Sequence, residues 1–239
     1  MKIDVWSDFV CPFCYIGKRR LEQAVEQFPH KDDVAIEFKS FELDPNAAVY
    51  SGKSIHEAIA EKYNIPVEQA KETNAGLAHQ AEAVGLTFHF ETMKPTNTFH
   101  AHRLAKYAKT LGKETILTEK LLHGYFTDSV NLSDIDTLAA IAVDAGLDKA
   151  SVLKVLQDEN AYAKEVRADE TLAQQYGVTG VPFFVINNKY AISGAQPLET
   201  FTSALEQVWE EENPKPRFKD LSSSKTEFCT GNDCGEIDK

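Results

Sequence analysis

Two cysteines in this chain have a type and spacing suited to shared chemistry. Cys11 and Cys14 bracket Pro12 and Phe13 in the stretch Ser7-Asp8-Phe9-Val10-Cys11-Pro12-Phe13-Cys14-Tyr15-Ile16-Gly17. Proline has a fixed φ that suits the first turn of a helix, where its missing N–H costs nothing. Cys11 therefore sits at or just before a helix N-terminus. Unpaired backbone N–H groups and the helix dipole favour a thiolate there. Cys14 follows three residues later on the same helical face, near enough for a disulfide. The pair suits thiol–disulfide exchange; two inert buried thiols or half of a zinc site would use the same residues. The remaining two of the four cysteines, Cys229 and Cys234, form a second tight pair. Gly231 and Asn232 between them can make a tight turn, so a local disulfide is sterically reasonable there too.

The elements that must position Cys11 and Cys14 follow from periodicity. Lys2 to Trp6 reads as a strand, with Ile3 and Val5 alternating against Lys2 and Asp4. Ile16, Leu21, Ala24, Val25 and Phe28 keep helical spacing up to Pro29, and Asp33 to Leu43 alternates as a second strand. Strand, helix, strand with a short linker is a βαβ unit, which predicts parallel strands and a right-handed crossover. From Asp44 the pattern changes. Ser54-Ile55-His56-Glu57 spells a capping box opening a helix through about Tyr63, and Val67 to Val84 is a second helix. Thr87 to Glu91 reads as a short extended piece. Helices follow over Asn97–Leu111, Glu114–Phe126, Ser133–Ala145 and Ala150–Gln157, with a further one over Asn160–Gln175. Val181 to Ile186 and Tyr190 to Ile192 form a hairpin around Asn187-Asn188-Lys189, and Pro197 opens a last helix through about Glu212. The division expected is a sheet-containing unit from residues 1–44 and 166–212, a helical insertion over 45–165, and an irregular tail over 213–239 carrying Cys229 and Cys234.

The chain has 239 residues and a net charge of −12, which argues against nucleic-acid or anionic-membrane binding. No apolar run approaches the roughly 18 residues of a membrane helix. Met1 leads within one residue into the first strand, with Asp4 and Asp8 interrupting any apolar leader. A cytoplasmic location is expected, where cysteine pairs are usually transient, catalytic or sensing. His100 and His102 stand two apart on a helix, so they face different sides and cannot share a metal as a His-x-x-x-His pair would. Arg103 is expected to partner a helix carboxylate. Trp6 and Tyr15 suit either the core or the lining of a groove.

The order βαβ, then ββα, with Cys-x-x-Cys at the first helix start and Val181-Pro182 before the third strand, resembles the thioredoxin fold. With a helical insertion between its halves, the chain resembles the DsbA family, an α/β thioredoxin-like fold with a helical insertion domain. Asp8 to Gly17, Gly177 to Phe184 and Asn97-Thr98-Phe99-His100-Ala101-His102-Arg103-Leu104 are similar to the FrnE-like branch of that family. The last of these segments is also similar to the related 2-hydroxychromene-2-carboxylate isomerases. The resemblance covers residues 2 to about 212. It implies a cis peptide between Val181 and Pro182, beside Cys11, with that edge pairing to an extended substrate. It further implies that the Cys11 thiolate attacks a substrate disulfide, or that a substrate thiolate attacks the Cys11–Cys14 disulfide, with Cys14 resolving the mixed disulfide. Strongly oxidising relatives place a His within the x-x pair. Phe13 stands there in this chain, which implies a weaker oxidant. Asn97 is expected to cap its helix or face the groove, and Phe13, Val181 and Pro182 to contact substrate. FrnE-like relatives often carry a second pair, which implies a redox role for Cys229 and Cys234. The partners implied are protein or small-molecule disulfides and thiols, with no cofactor beyond glutathione as a thiol substrate. Two alternatives remain open. One is a glutathione-dependent isomerase or transferase of the same fold, although those relatives usually carry a Ser and no second Cys where this chain has Cys11 and Cys14. The other is a zinc-binding or chaperone-like module using all four sulfurs.

Overall fold

A computed structural model of the chain describes residues 1–50, 52–214, 227–230 and 233–236, the last two stretches by their backbone. The first strand, β1 (Lys2–Ser7), is followed by helix α1 (Pro12–Gln27) and strand β2 (Ala35–Ser40). β1 and β2 pair in parallel, Val5 standing opposite Phe38. The chain then leaves the sheet for α2 (Ile55–Tyr63), α3 (Val67–Glu82), α4 (Phe99–Thr110), α5 (Glu114–Phe126), α6 (Ile135–Asp144), α7 (Lys149–Gln157) and α8 (Ala163–Gln175). It returns as β3 (Phe183–Ile186), β4 (Tyr190–Ser193) and α9 (Leu198–Glu212). The strand order is β2-β1-β3-β4, with β3 antiparallel to both of its neighbours. This is the thioredoxin-like α/β fold with a helical insertion.

Local chemistry accounts for most of the element ends. Ser54 and Glu57 close a reciprocal capping box at the start of α2. Asn187 and Asn188 both adopt left-handed φ values, 50° and 55°, as the central residues of the tight turn that the Lys189 N–H closes on the Ile186 carbonyl at 3.0 Å. α1 begins at Pro12 with Cys11 as its N-cap, and α9 begins just after Pro197. The Thr87–Glu91 piece is irregular rather than a strand. It is fixed by its aromatic side chains, Phe88 lying 4.4 Å from the Phe126 ring centroid and 5.8 Å from that of Phe90.

β1 is buried on both faces. Ile3 and Val5 pack with Leu21, Phe28, Phe201 and Leu205 under α1 and α9. The other face, which alternation assigns to water through Asp4, is covered by α8. Trp6 is fully buried there and donates its indole N–H to the Asp169 carbonyl at 2.9 Å. Asp4 is buried beside it and bridges to Lys2 at 3.0 Å and Lys39 at 3.5 Å. A third core fills the helical insertion around Leu104, Leu117, Leu121 and Leu138, and Phe9, Tyr15 and Ile16 from the α1 end join it. Helix α1 therefore belongs to both bodies of the fold.

Among the described residues the outer edge of β2 meets no other strand, but its backbone is engaged by side chains. Glu114 of α5 accepts the Phe38 N–H at 3.2 Å, and Asp169 of α8 accepts the Ser40 N–H at 2.8 Å. Lys106 of α4 donates to the Phe38 carbonyl at 2.9 Å.

The tail departs from the irregular form expected of its composition. Its backbone forms an antiparallel ladder of β5 (Glu227–Thr230) and β6 (Asp233–Glu236), in which Cys229 stands opposite Cys234. The side chains of Cys229 and Cys234 lie outside the described residues.

Candidate active site at the start of helix α1

β1 ends at Ser7, the chain turns over Asp8 to Val10, and α1 starts with Cys11 as its N-cap in extended geometry. The Cys11 N–H donates to the Asp8 carbonyl at 3.2 Å, which closes the turn. Cys11 is only 4% exposed, and its thiol donates to the Val181 carbonyl at 3.5 Å. The Val181–Pro182 peptide is cis. Cys14 N–H donates to the Cys11 carbonyl at 3.0 Å, and Cys14 itself is 2% exposed. Burial pushes the Cys14 thiol well above its ordinary range, and the neighbouring Cys11 sulfur adds to this. The Ser7 side chain and the Asp8 backbone pull in the opposite direction. The two cysteines are therefore unequal. Cys11 is the N-cap of α1 with its sulfur against the Val181 carbonyl, and Cys14, whose thiol burial pushes up, lies one turn further along the helix.

Gly17 sets how closely α1 approaches the loop that faces it. A methyl group built on Gly17 would lie 3.0 Å from Pro182 Cγ, 3.2 Å from Phe184 Cζ and 3.5 Å from Ala195 Cα. No side chain fits between the helix and Pro182 without moving one of them. Phe13, between the two cysteines, is 42% exposed and presents an apolar ring to the surface.

Asn97 serves the structure around it. Its Oδ1 accepts the Phe99 N–H at 2.9 Å at the start of α4, while Nδ2 donates to the Ala47 carbonyl at 3.2 Å. Both ends of its amide are engaged, and Thr98, the N-cap proper, makes no side-chain cap. His100 accepts a hydrogen bond from Arg103 at 2.8 Å, and burial together with the Arg103 charge pushes its imidazole pKa down. Arg103 is fully buried, and among the described residues it forms no ion pair with a carboxylate. Its guanidinium donates to the carbonyls of Val155, Leu156, Asp158 and Ala161, at 3.0, 3.3, 2.6 and 3.0 Å, closing the C-terminal end of α7. A helix end leaves carbonyls without partners, and a buried cation there replaces the water they would otherwise need. Trp6 and Tyr15 are both core residues.

Periodicity does not reveal one contact at this site. His102 Nε2 lies 3.2 Å from Asp8 Oδ1, with both side chains almost completely buried. Asp8 Oδ2 also accepts the Leu43 N–H at 2.8 Å. Asp8 and His102 are 94 residues apart and come from different parts of the fold, so no local pattern links them. Among the described residues, no group of three or more His, Cys, Asp or Glu side chains is placed to hold a metal ion. The four-sulfur site of the zinc alternative would include Cys229 and Cys234, whose side chains lie outside the described residues.

A cysteine pair at a helix N-terminus facing a Val-Pro loop, on a four-stranded sheet split by helices, defines a thioredoxin-like domain. The family model described as a DSBA-like thioredoxin domain matches residues 2–206, and the chain belongs to that family. It is similar to the probable DsbA oxidoreductase SCO1869 of Streptomyces coelicolor, with 41% identity, a TM-score of 0.84 and 98% of each chain covered. It is 28% identical to the uncharacterized protein YwbO of Bacillus subtilis over 204 residues, 85% of this chain and 94% of that protein. The cytosolic disulfide reductase DsbM of Pseudomonas aeruginosa, solved with GSH, shares the fold at a TM-score of 0.63 and 12% identity, covering 88% of this chain and all of that one. Among the described residues, no helix is long and apolar enough to cross a membrane.

Proposed function

We propose that the protein is a cytoplasmic thiol–disulfide oxidoreductase of the FrnE-like branch, acting on protein or small-molecule disulfides and thiols, glutathione among them. The observation that carries this reading is the inequality of Cys11 and Cys14: one sulfur at the helix N-terminus beside the Val181 carbonyl, the other buried behind it. In the reducing direction the Cys11 thiolate attacks a substrate disulfide, forming a Cys11–substrate bond and releasing one substrate thiolate. Cys14 then loses its proton and attacks the Cys11 sulfur. The Cys11–Cys14 disulfide forms, and the second substrate thiolate leaves. The oxidising direction reverses these steps. An extended substrate lies along the Val181–Pro182 edge with Phe13 against its apolar side chains. Asn97 contributes by fixing the start of α4 and the loop at Ala47 rather than by touching substrate. Cys229 and Cys234, opposite one another in the β5–β6 ladder, act as a second redox pair that exchanges with Cys11/Cys14.

The direct test is trapping with Cys14→Ser in cells under oxidative stress. A stalled Cys11 mixed disulfide, lost again in Cys11→Ser, identifies the substrate. Absence of any covalent partner, or an isomerase activity on glutathione conjugates that survives Cys14→Ser, would replace this reading with the glutathione-dependent one.

A further inference from the structure

Arg20 stands one turn beyond Gly17 on the face of α1 that meets the Pro182 loop. Its Nη1 donates to the Ala195 carbonyl at 2.6 Å and to the Gln196 carbonyl at 3.3 Å. Among the described residues it forms no ion pair, although the chain carries a net charge of −12. The segment it grips, residues 193–196, leads from the end of β4 towards α9 and is bound into a tight turn. The Gln196 N–H donates to the Gly194 carbonyl at 2.9 Å, and the Gln196 side-chain amide donates to the Ser193 carbonyl at 2.8 Å. Gly194, with a left-handed φ of 79°, donates its N–H to the Pro182 carbonyl at 2.9 Å. A continuous path of hydrogen bonds and backbone thus runs from the Arg20 guanidinium through Ala195 and Gly194 to Pro182.

The same helix carries Cys11 as its N-cap, and the Cys11 thiol meets the Val181 carbonyl at 3.5 Å. Cys11 and Arg20 lie about 13 Å apart along one rigid element, and the contacts of both lead to the loop around Pro182. Gly17 between them lets helix and loop come close because it has no side chain, but it supplies no attraction. The guanidinium does, since a hydrogen bond from a charged donor is stronger than one between neutral groups. We infer that Arg20 is a positioning residue that acts through the Ser193–Gln196 turn on Pro182, and so fixes where the Val181–Pro182 edge presents its backbone to a substrate beside Cys11. The inference rests on the reading above, in which an extended substrate lies along that edge. The hydrogen bonds of Arg20 go to neither cysteine, so its loss acts on substrate capture and not on the thiol itself.

The test is single-turnover oxidation of the reduced full-length protein by an excess of a fluorogenic peptide disulfide. Cys11 and Cys14 become a disulfide, and the peptide is released as two thiols. The rate is followed against peptide concentration, and iodoacetamide alkylation of Cys11, which needs no substrate edge, is measured in parallel. Arg20→Ala is expected to raise the half-saturating peptide concentration about tenfold and to leave the alkylation rate within about twofold of the parent. Arg20→Lys, which keeps a charged donor, should recover part of the loss. Arg20→Gln, a neutral donor, should fall between Ala and Lys, and it carries the test if Arg20→Ala folds poorly. An unchanged half-saturating concentration in Arg20→Ala and Arg20→Gln overturns the inference, whatever happens to their unfolding free energy in urea. Equal slowing of the peptide reaction and of alkylation overturns it too. A parent protein that is alkylated at Cys11 but shows no saturable reaction with the peptide disulfide would remove the reading of the Val181–Pro182 edge, and this inference with it.

Discussion

A single hydrogen atom at position 17 sets the gap between helix α1 and the loop facing Cys11. In Gly17→Ala the new methyl meets Pro182 Cγ at 3.0 Å and Phe184 Cζ at 3.2 Å, so Pro182 and the Val181 carbonyl must shift from the Cys11 sulfur. Misplacement on the ångström scale can lower a rate by roughly 10- to 100-fold. Turnover of a peptide disulfide is expected to fall by that order, while alkylation of Cys11 by iodoacetamide, which does not need the loop, changes little. Equal loss in both assays would mean that Gly17 serves folding only. Phe13 gives a second prediction at this scale. It cannot donate a hydrogen bond to Cys11, so the reduction potential is expected to lie below the about −120 mV of DsbA. Phe13→His should raise it, by about 30 mV for each tenfold gain in thiolate stability, as measured by equilibration with glutathione.

Among the elements, α4 carries the most duties. Its Arg103 closes α7, its His102 reaches Asp8, and its Lys106 engages β2. Arg103→Ala strands the carbonyls of Val155, Leu156, Asp158 and Ala161. A loss of about 3–5 kcal/mol in unfolding free energy is expected from denaturant titration. Arg103→Lys should recover only part of it, because one ammonium cannot span four acceptors. None of these partners is legible in the sequence. Helix α5 is, because Glu114 to Phe126 keeps apolar spacing between Gly112 and the Asp128 turn, and the α2 start is, because Ser54 and Glu57 form a local box. The Cys11 N-cap is local too, fixed by Pro12. The partners of Arg103 and His102 depend on where α7 and Asp8 come to lie, which only tertiary packing decides. Asp4 reads as solvent-facing for the same reason: alternation marks two faces but does not say that α8 will cover the second.

Across the whole molecule, a charged clamp ties α1 to the insertion. Glu119 of α5 accepts from Tyr15 at 2.7 Å and from Arg19 at 2.7 Å, and it also pairs with the buried Lys18. Burial raises the Glu119 pKa, but Lys18, Tyr15 and Arg19 together outweigh this and hold it below the usual carboxylate range. Glu37 is held low in the same way by Lys109, Lys39 and Lys2, again against the effect of burial. A carboxylate with a depressed folded-state pKa stabilises the fold above its unfolded value of about 4.3, and that contribution is lost as the pH falls through the folded value. The melting temperature should therefore decline as the pH is lowered from about 5. Glu119→Gln should melt lower than the parent at pH 7, and the difference should narrow in acid. A constant difference across the range would show that the charge on Glu119 is not what the clamp uses.

The side chains that engage the edge of β2 have a consequence for how copies of this protein behave at high concentration. A bare strand edge is a template onto which another chain can zip, the first step towards fibrous aggregates. On β2, the Phe38 and Ser40 amides and the Phe38 carbonyl already have partners in Glu114, Asp169 and Lys106. An incoming strand would have to displace two carboxylates and an ammonium from buried positions before gaining a single bond. Replacing Asp169 or Glu114 by alanine would therefore be read out in turbidity and dye-binding fibril assays during storage.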